Sequence, residues 1–180
     1  MANLFEQIVA DYLTGAGYLT KLNVNYRKED GGQTGSDIDV LAFHPTTKKV
    51  VVGECQAGAE GFSGNWLVRR DIKSPERIRG FFKPIFQREW ATGLADKVED
   101  EFGTRKFTYT IYCTHLDGEF NVLQESQDVD GNPIEVVTLA DSIHGTVQRI
   151  KSKPDASVEP TTLGRFVQLL HTARIGFSYQ

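Results

Sequence analysis

The 180-residue sequence predicts an α/β domain. Three observations carry this reading. Hydrophobic spacing switches along the chain between a helical period and a strand period, a short Pro-containing link joins two strand-like runs as a hairpin, and helical patterns stand before and after the group of strands. With 39% hydrophobic residues and no low-complexity tract, the chain is long enough to bury one proper core, so residues 1–180 are expected to form a single domain.

Leu4, Phe5, Ile8, Val9, Tyr12 and Leu13 recur at helical spacing and Gly15 and Gly17 supply a stop, which places a first helix over residues 3–14. Leu22, Val24 and Tyr26 then alternate with Asn23, Asn25 and Arg27, a half-polar strand that ends in the turn-rich residues 28–35. Two further strand-like runs follow, 35–43 and 49–56, joined by His44-Pro45-Thr46-Thr47-Lys48, a link short enough to pair them antiparallel. Ser74-Pro75-Glu76 reads as a helix N-cap with Pro at the first helical position. That helical pattern is interrupted by Gly80 and Pro84 and resumes over 86–101, with Gly103 as its stop. Phe107, Tyr109, Ile111 and Cys113 mark a strand buried on both sides. Phe120 to Leu123 is a second strand, Asp130-Gly131-Asn132-Pro133 a turn, and Ile134 to Thr138 a strand running directly into a helix built on Leu139, Ile143, Val147 and Ile150. Residues 151–160 form a polar linker, and Phe166, Val167, Leu169 and Leu170 sit on a closing helix.

The hairpin strands carry the chemistry. A strand sends alternate side chains to opposite faces, so Asp37 and Asp39 are expected to share a face, joined there by Glu54 and Gln56 of the next strand, with Cys55 turned away. Three carboxylates held on one patch of sheet repel one another unless something neutralises them, and a divalent cation with oxygen ligands, Mg²⁺ above all, is the economical candidate. An exposed acidic strand face is the plain alternative, although Asp is depleted in strands at large. A complementary basic run lies downstream. Residues 69–88 hold seven Lys or Arg against two acids, and since the whole chain carries −4, this segment at +5 leaves −9 for the remainder. Within it Arg69, Lys73 and Arg77 are spaced four apart, so a helical segment would align them along a phosphate backbone, and Arg70 adds to the charge. Gly58, Gly61 and Gly64 allow the preceding loop a close approach to nucleic acid, and Phe62 and Trp66 offer stacking surfaces.

The order of elements together with Asp39-Val40-Leu41-Ala42 and Glu54-Cys55-Gln56 resembles the PD-(D/E)XK nuclease superfamily, which includes restriction endonucleases, Holliday-junction resolvases and Mrr-like enzymes. The resemblance covers residues 3–150 and leaves 151–180 as a linker and helix beyond the core. It implies a restriction endonuclease-like αβββαβ core with a central mixed sheet flanked by helices. It also implies a Mg²⁺- or Mn²⁺-dependent DNA endonuclease that hydrolyses phosphodiester bonds in restriction, repair or recombination. By that likeness Asp39 and Glu54 are the main metal ligands, Asp37 an accessory acid, the backbone carbonyl of Cys55 a further ligand, and Glu6 the additional acid that many members bring from the first helix. Gln56 stands where the family usually has Lys; an amide is neutral and orients water only through hydrogen bonds. The departure gives weight to a second reading, a catalytically inactive nucleic-acid-binding or assembly module that keeps the nuclease fold. A glycosidase using two carboxylates as acid and base is a third, more remote reading.

The remaining features narrow the field. No window approaches the roughly 20 apolar residues of a membrane span, and the N-terminal residues carry no basic segment followed by an apolar stretch, so a cytoplasmic protein is expected. Cys55 and Cys113 lie within apolar runs and are expected as buried free thiols. The four His residues share no metal or triad spacing, Asp128 to Asn132 lacks the distal Glu of a calcium loop, and residues 30–35 lack the Gly-Lys-Ser/Thr ending of a P-loop. The closing helix is more apolar than a terminal element needs, which points to a homodimer.

Overall fold

The computed structural model describes residues 3–28, 35–57, 62–63, 83–117, 127–153 and 158–173. The expected strand at 120–123 and the helix start at Ser74 lie outside these residues. Helix α1 spans Leu4–Gly15 and starts at a capping box: the Asn3 side chain accepts from the Glu6 N–H, while the Glu6 carboxylate accepts from the Asn3 N–H, each at 3.0 Å. Gly17, at φ +95°, turns the chain into β1, Leu19–Arg27. Strands β2, Gly35–Phe43, and β3, Val50–Gln56, follow as an antiparallel meander.

The β2–β3 hairpin closes as its sequence suggests. The His44 N–H donates to the Lys49 carbonyl at 2.9 Å, Lys48 takes a left-handed φ of +58°, and the His44 ring Nδ1 accepts from the Thr46 and Thr47 N–H groups at 3.2 Å. His44 is therefore a turn residue. A two-residue strand β4, Phe62–Ser63, pairs in parallel with β6, Leu116–Asp117, apart from the main sheet. Helix α2 is a single turn, Lys83–Phe86, and α3 runs Arg88–Phe102 to a left-handed C-cap at Gly103, φ +69°. Pro84, expected as an interruption, instead occupies the second residue of α2, where its missing N–H has no intrahelical acceptor to lose.

Strand β5, Thr108–Cys113, lies parallel to β3, and β7, Ile134–Thr138, parallel to β5. The result is a five-stranded mixed sheet in the order β1-β2-β3-β5-β7. The turn before β7 is built on Asp128, whose Oδ1 accepts from the Asp130 and Asn132 N–H groups at 2.9 and 2.8 Å while its Oδ2 accepts from the Asn132 side-chain amide at 3.0 Å, so both oxygens are committed within the turn. Helices α4, Leu139–Lys151, and α5, Thr162–Thr172, complete the described chain.

Helices cover both faces of the sheet. On one face Trp90, Leu94 and Val98 of α3 pack on Leu41, Val52, Tyr109 and Ile111. On the other, Phe5, Val9 and Leu13 of α1 pack on Val40, Ala42, Val51 and Tyr112. The central strands, buried on both sides, read as continuous apolar runs for that reason. Helix α5 is tied to α1, because Asp11 Oδ2 accepts the Leu163 N–H at 2.8 Å in the first turn of α5. Cys55 and Cys113 are both buried free thiols. Among the described residues no helix is long and apolar enough to cross a membrane.

Candidate metal and catalytic site

Simple alternation along β2 would send residues 37, 39 and 41 to one face, and it fails at Asp39. Ile38 and Leu41 both pack beneath α3, whereas Val40 and Ala42 pack beneath α1. The same switch occurs in β1, where Leu22 lies against the α1 core and Val24 and Tyr26 against the α3 core. Between them sits Asn23, at φ +53°. The β1–β2 ladder steps from Leu22↔Val40 to Val24↔Ile38 with no pair at Asn23 and Asp39. On its other side β2 pairs with β3 only from Phe43↔Val50 to Val40↔Gly53, so the two strands part where Asp39 begins. There Asp39 Oδ2 accepts the Cys55 N–H at 2.7 Å, and a carboxylate stands in for the ladder carbonyl.

This placement brings Asp39 against Glu54 of the neighbouring strand. Glu54 is 5% exposed and is held well above the usual carboxyl range, first by burial and then by the charges of Asp39 and Asp37; a hydrogen bond from the buried Tyr109 phenol opposes the rise. Asp39 is also raised, by burial first, against which the Cys55 N–H acts; Glu6 and Asp37 add to the rise. The two carboxyls are hydrogen-bonded to each other with the proton favoured on Glu54. Burial and mutual repulsion both disfavour two negative charges on this pair, which titrates as a unit.

The other candidates occupy different situations. Asp37 is exposed and reaches the pair through its charge. Glu6 is buried, and its carboxylate closes the α1 capping box with Asn3, so this acid has a structural duty whatever else it does. Gln56 is half-buried at the end of β3, in register with Cys113 of β5. The Cys55 backbone is bound to the site through its N–H, while burial pushes its thiol up. Arg69, Arg70, Lys73 and Arg77, with Trp66 and the glycines before it, lie outside the described residues.

A divalent cation suits the donor set within limits. Among the described residues no three His, Cys, Asp or Glu side chains are gathered closely enough to hold a metal by themselves. Mg²⁺ asks for less than Ca²⁺ or Zn²⁺, since it commonly takes one or two protein carboxylates and keeps several waters. Glu54, buried, and Asp39, half-buried, face each other with both carboxyls raised by burial and by neighbouring acids, and that fits the requirement.

Tyr109 is the site residue that local pattern does not disclose. It reads as one more apolar strand position, and only the parallel register Val52↔Tyr109 puts it beside β3, two residues from the level of Glu54 and on the same face. Tyr109→Phe keeps the ring and removes the hydrogen bond to Glu54; with Glu54 as a cation ligand, Mn²⁺ affinity would fall about 10-fold, within the usual range for a partner behind a metal ligand. Calorimetric titration checks this; affinity equal to wild type would show that the phenol only fills space. Comparison with known protein families, curated proteins and solved structures finds no match to this chain.

Proposed function

We propose that this chain is a Mg²⁺-dependent DNA endonuclease of the restriction endonuclease-like kind, with Asp39 and Glu54 as the metal ligands. The observation that carries the reading is the Asp39–Glu54 pair, two carboxyls placed together at the point where β2 and β3 part, with a pKa pattern that calls for a countercharge. The element order and the mixed sheet support it. A bound Mg²⁺ would polarise a phosphoryl oxygen and lower the pKa of a coordinated water. The chain's own share is then to present the two carboxyls to the cation, to orient water through the Gln56 amide, and to bring the phosphate backbone in along the basic run that contains Arg69, Arg70, Lys73 and Arg77.

The test is incubation with linear, supercoiled and branched DNA in Mg²⁺, Mn²⁺ or EDTA. Metal-dependent cleavage that disappears in Glu54→Gln and Asp39→Asn is the expected result, and no cleavage by wild type on any substrate would sink the activity. The second reading is a non-catalytic nucleic-acid-binding or assembly module. It is favoured by the commitment of Glu6 to the capping box and by the neutral Gln56, and salt-sensitive binding without cleavage or metal dependence would establish it. A homodimer is part of the proposal: Phe166 and Leu169 on α5 are 58% and 54% exposed, more apolar surface than a helix facing water usually shows. Light scattering at high concentration is expected to give twice the 20.1 kDa chain mass, and a monomer would overturn the dimer alone.

A further inference from the structure

We infer that Asn23, a residue with no place in the metal site, is the positioning residue that delivers Asp39 to it. The inference rests on the nuclease reading for its functional meaning, though its geometric part stands apart from that reading. A regular strand at Asn23 would keep Leu22, which precedes it, and Val24, which follows it, on one face. Instead they lie in opposite cores, and the residue between them, Asn23, takes a left-handed backbone at φ +53°. Because β1 and β2 stay in one register on both sides of the break, the switch passes across the ladder: Val40 follows Leu22 and Ile38 follows Val24. Asp39, opposite Asn23, leaves the alternation and turns along the sheet to the Cys55 N–H, 2.7 Å away. An acid held in a regular strand would project from a face, away from the backbone of its neighbour.

The residue type fits the task. An L-residue in the left-handed region is disfavoured, Asn and Gly tolerate it, and a β-branched residue there is a true outlier. Asn23→Gly therefore keeps the break, while Asn23→Val drives β1 back to regular extension and should carry Asp39 off Cys55.

Two readouts in the full chain separate the geometry from the function. The first is hydrogen exchange of the Cys55 amide by NMR. Wild type and Asn23→Gly should protect it alike, and Asn23→Val should exchange at least about 10-fold faster, the scale of a lost bond to a charged acceptor. The second is Mn²⁺ affinity by titration, expected within about twofold of wild type for Asn23→Gly and at least about 10-fold weaker for Asn23→Val. If Asn23→Val does not fold, Asn23→Ala is measured in its place with the same expected direction and a smaller change. Equal Cys55 protection in wild type and the folded Val or Ala variant overturns the inference, as does a Gly variant that loses protection equally. Failure of wild type to bind Mn²⁺, with the exchange pattern intact, overturns the metal reading and leaves the placement of Asp39 by Asn23 standing.

Discussion

Glu54→Gln is expected to abolish metal-dependent DNA cleavage and, in the same protein, to raise stability at neutral pH. The two effects have one cause. Glu54 is buried and its carboxyl sits well above the ordinary range through burial and the charges of Asp39 and Asp37. In the unfolded chain a Glu titrates near about pH 4.3. Between that pH and the higher folded value the native state holds a proton that the unfolded state has lost, so stability falls as pH rises through this window. Below the window the penalty is absent, and above it the penalty is complete. Asp39, also raised, contributes with the same sign. Each unit by which a folded pKa exceeds the unfolded one costs about 1.4 kcal/mol once the group is ionised. The Gln side chain carries no such cost, so thermal unfolding of Glu54→Gln without metal should be flatter from pH 5 to 8 than that of wild type.

Mg²⁺ should do for wild type what the substitution does for the variant. Binding at the pair would displace its proton and stabilise the folded state, more strongly as pH rises. Cleavage should fall by more than the roughly 10- to 100-fold that loss of a partner behind a metal ligand costs, because Glu54 is proposed as a ligand itself. A Glu54→Gln protein less stable than wild type at pH 8 without metal would show that the carboxylate is satisfied as a structural acceptor, and would remove the main support for a cation there.

The elements themselves were legible because each local signal agreed with its surroundings. The apolar spacing of α1, the Pro-containing hairpin and the doubly buried β5 are all short-range patterns, and all three are formed by the chain. The Asn3-x-x-Glu6 spacing was as readable as any of them, and it assigns Glu6 a capping duty that reading Glu6 as a metal acid passes over. What periodicity could not give was the orientation of the acids. Strand alternation assigns faces only while the backbone stays extended, and the left-handed turn at Asn23 is written in no hydrophobic pattern. The pairing of Asp39 with Glu54 survived that break because the hairpin fixes which strands are neighbours. The common face expected for Asp37 and Asp39 depended on unbroken alternation. Tyr109 was hidden for another reason: its place beside Glu54 depends on a parallel register set by a connection of more than fifty residues, from β3 to β5.

Gly93→Ala should be the most damaging single-methyl change in the described fold. A Gly inside a helix normally costs about 1 kcal/mol relative to Ala, so on propensity alone the substitution should help. Position 93 reverses that sign. A Cβ built there falls 1.9 Å from the Arg27 carbonyl oxygen and 2.9 Å from the Lys28 Cα, both backbone atoms of the β1 end that cannot rotate away. Helix α3 would have to lift from β1, and with it Trp90 and Leu94, which pack with Tyr26 in the same core. The Trp90 ring meets Tyr26 edge-on at 6.0 Å, a contact that tolerates little displacement. Overpacking of this kind costs about 3 kcal/mol, and a chain of this length loses roughly 2 to 4 °C in Tm per kcal/mol, so a fall of about 6 to 12 °C is expected. Gly103→Ala supplies the comparison. It meets nothing within 4 Å but sits at φ +69°, so its cost is the backbone strain alone, about 1 to 2 kcal/mol. Thermal or urea unfolding of the two variants separates close approach from conformational strain: a Gly93→Ala protein as stable as Gly103→Ala would mean that α3 and β1 do not touch as closely as the fold places them.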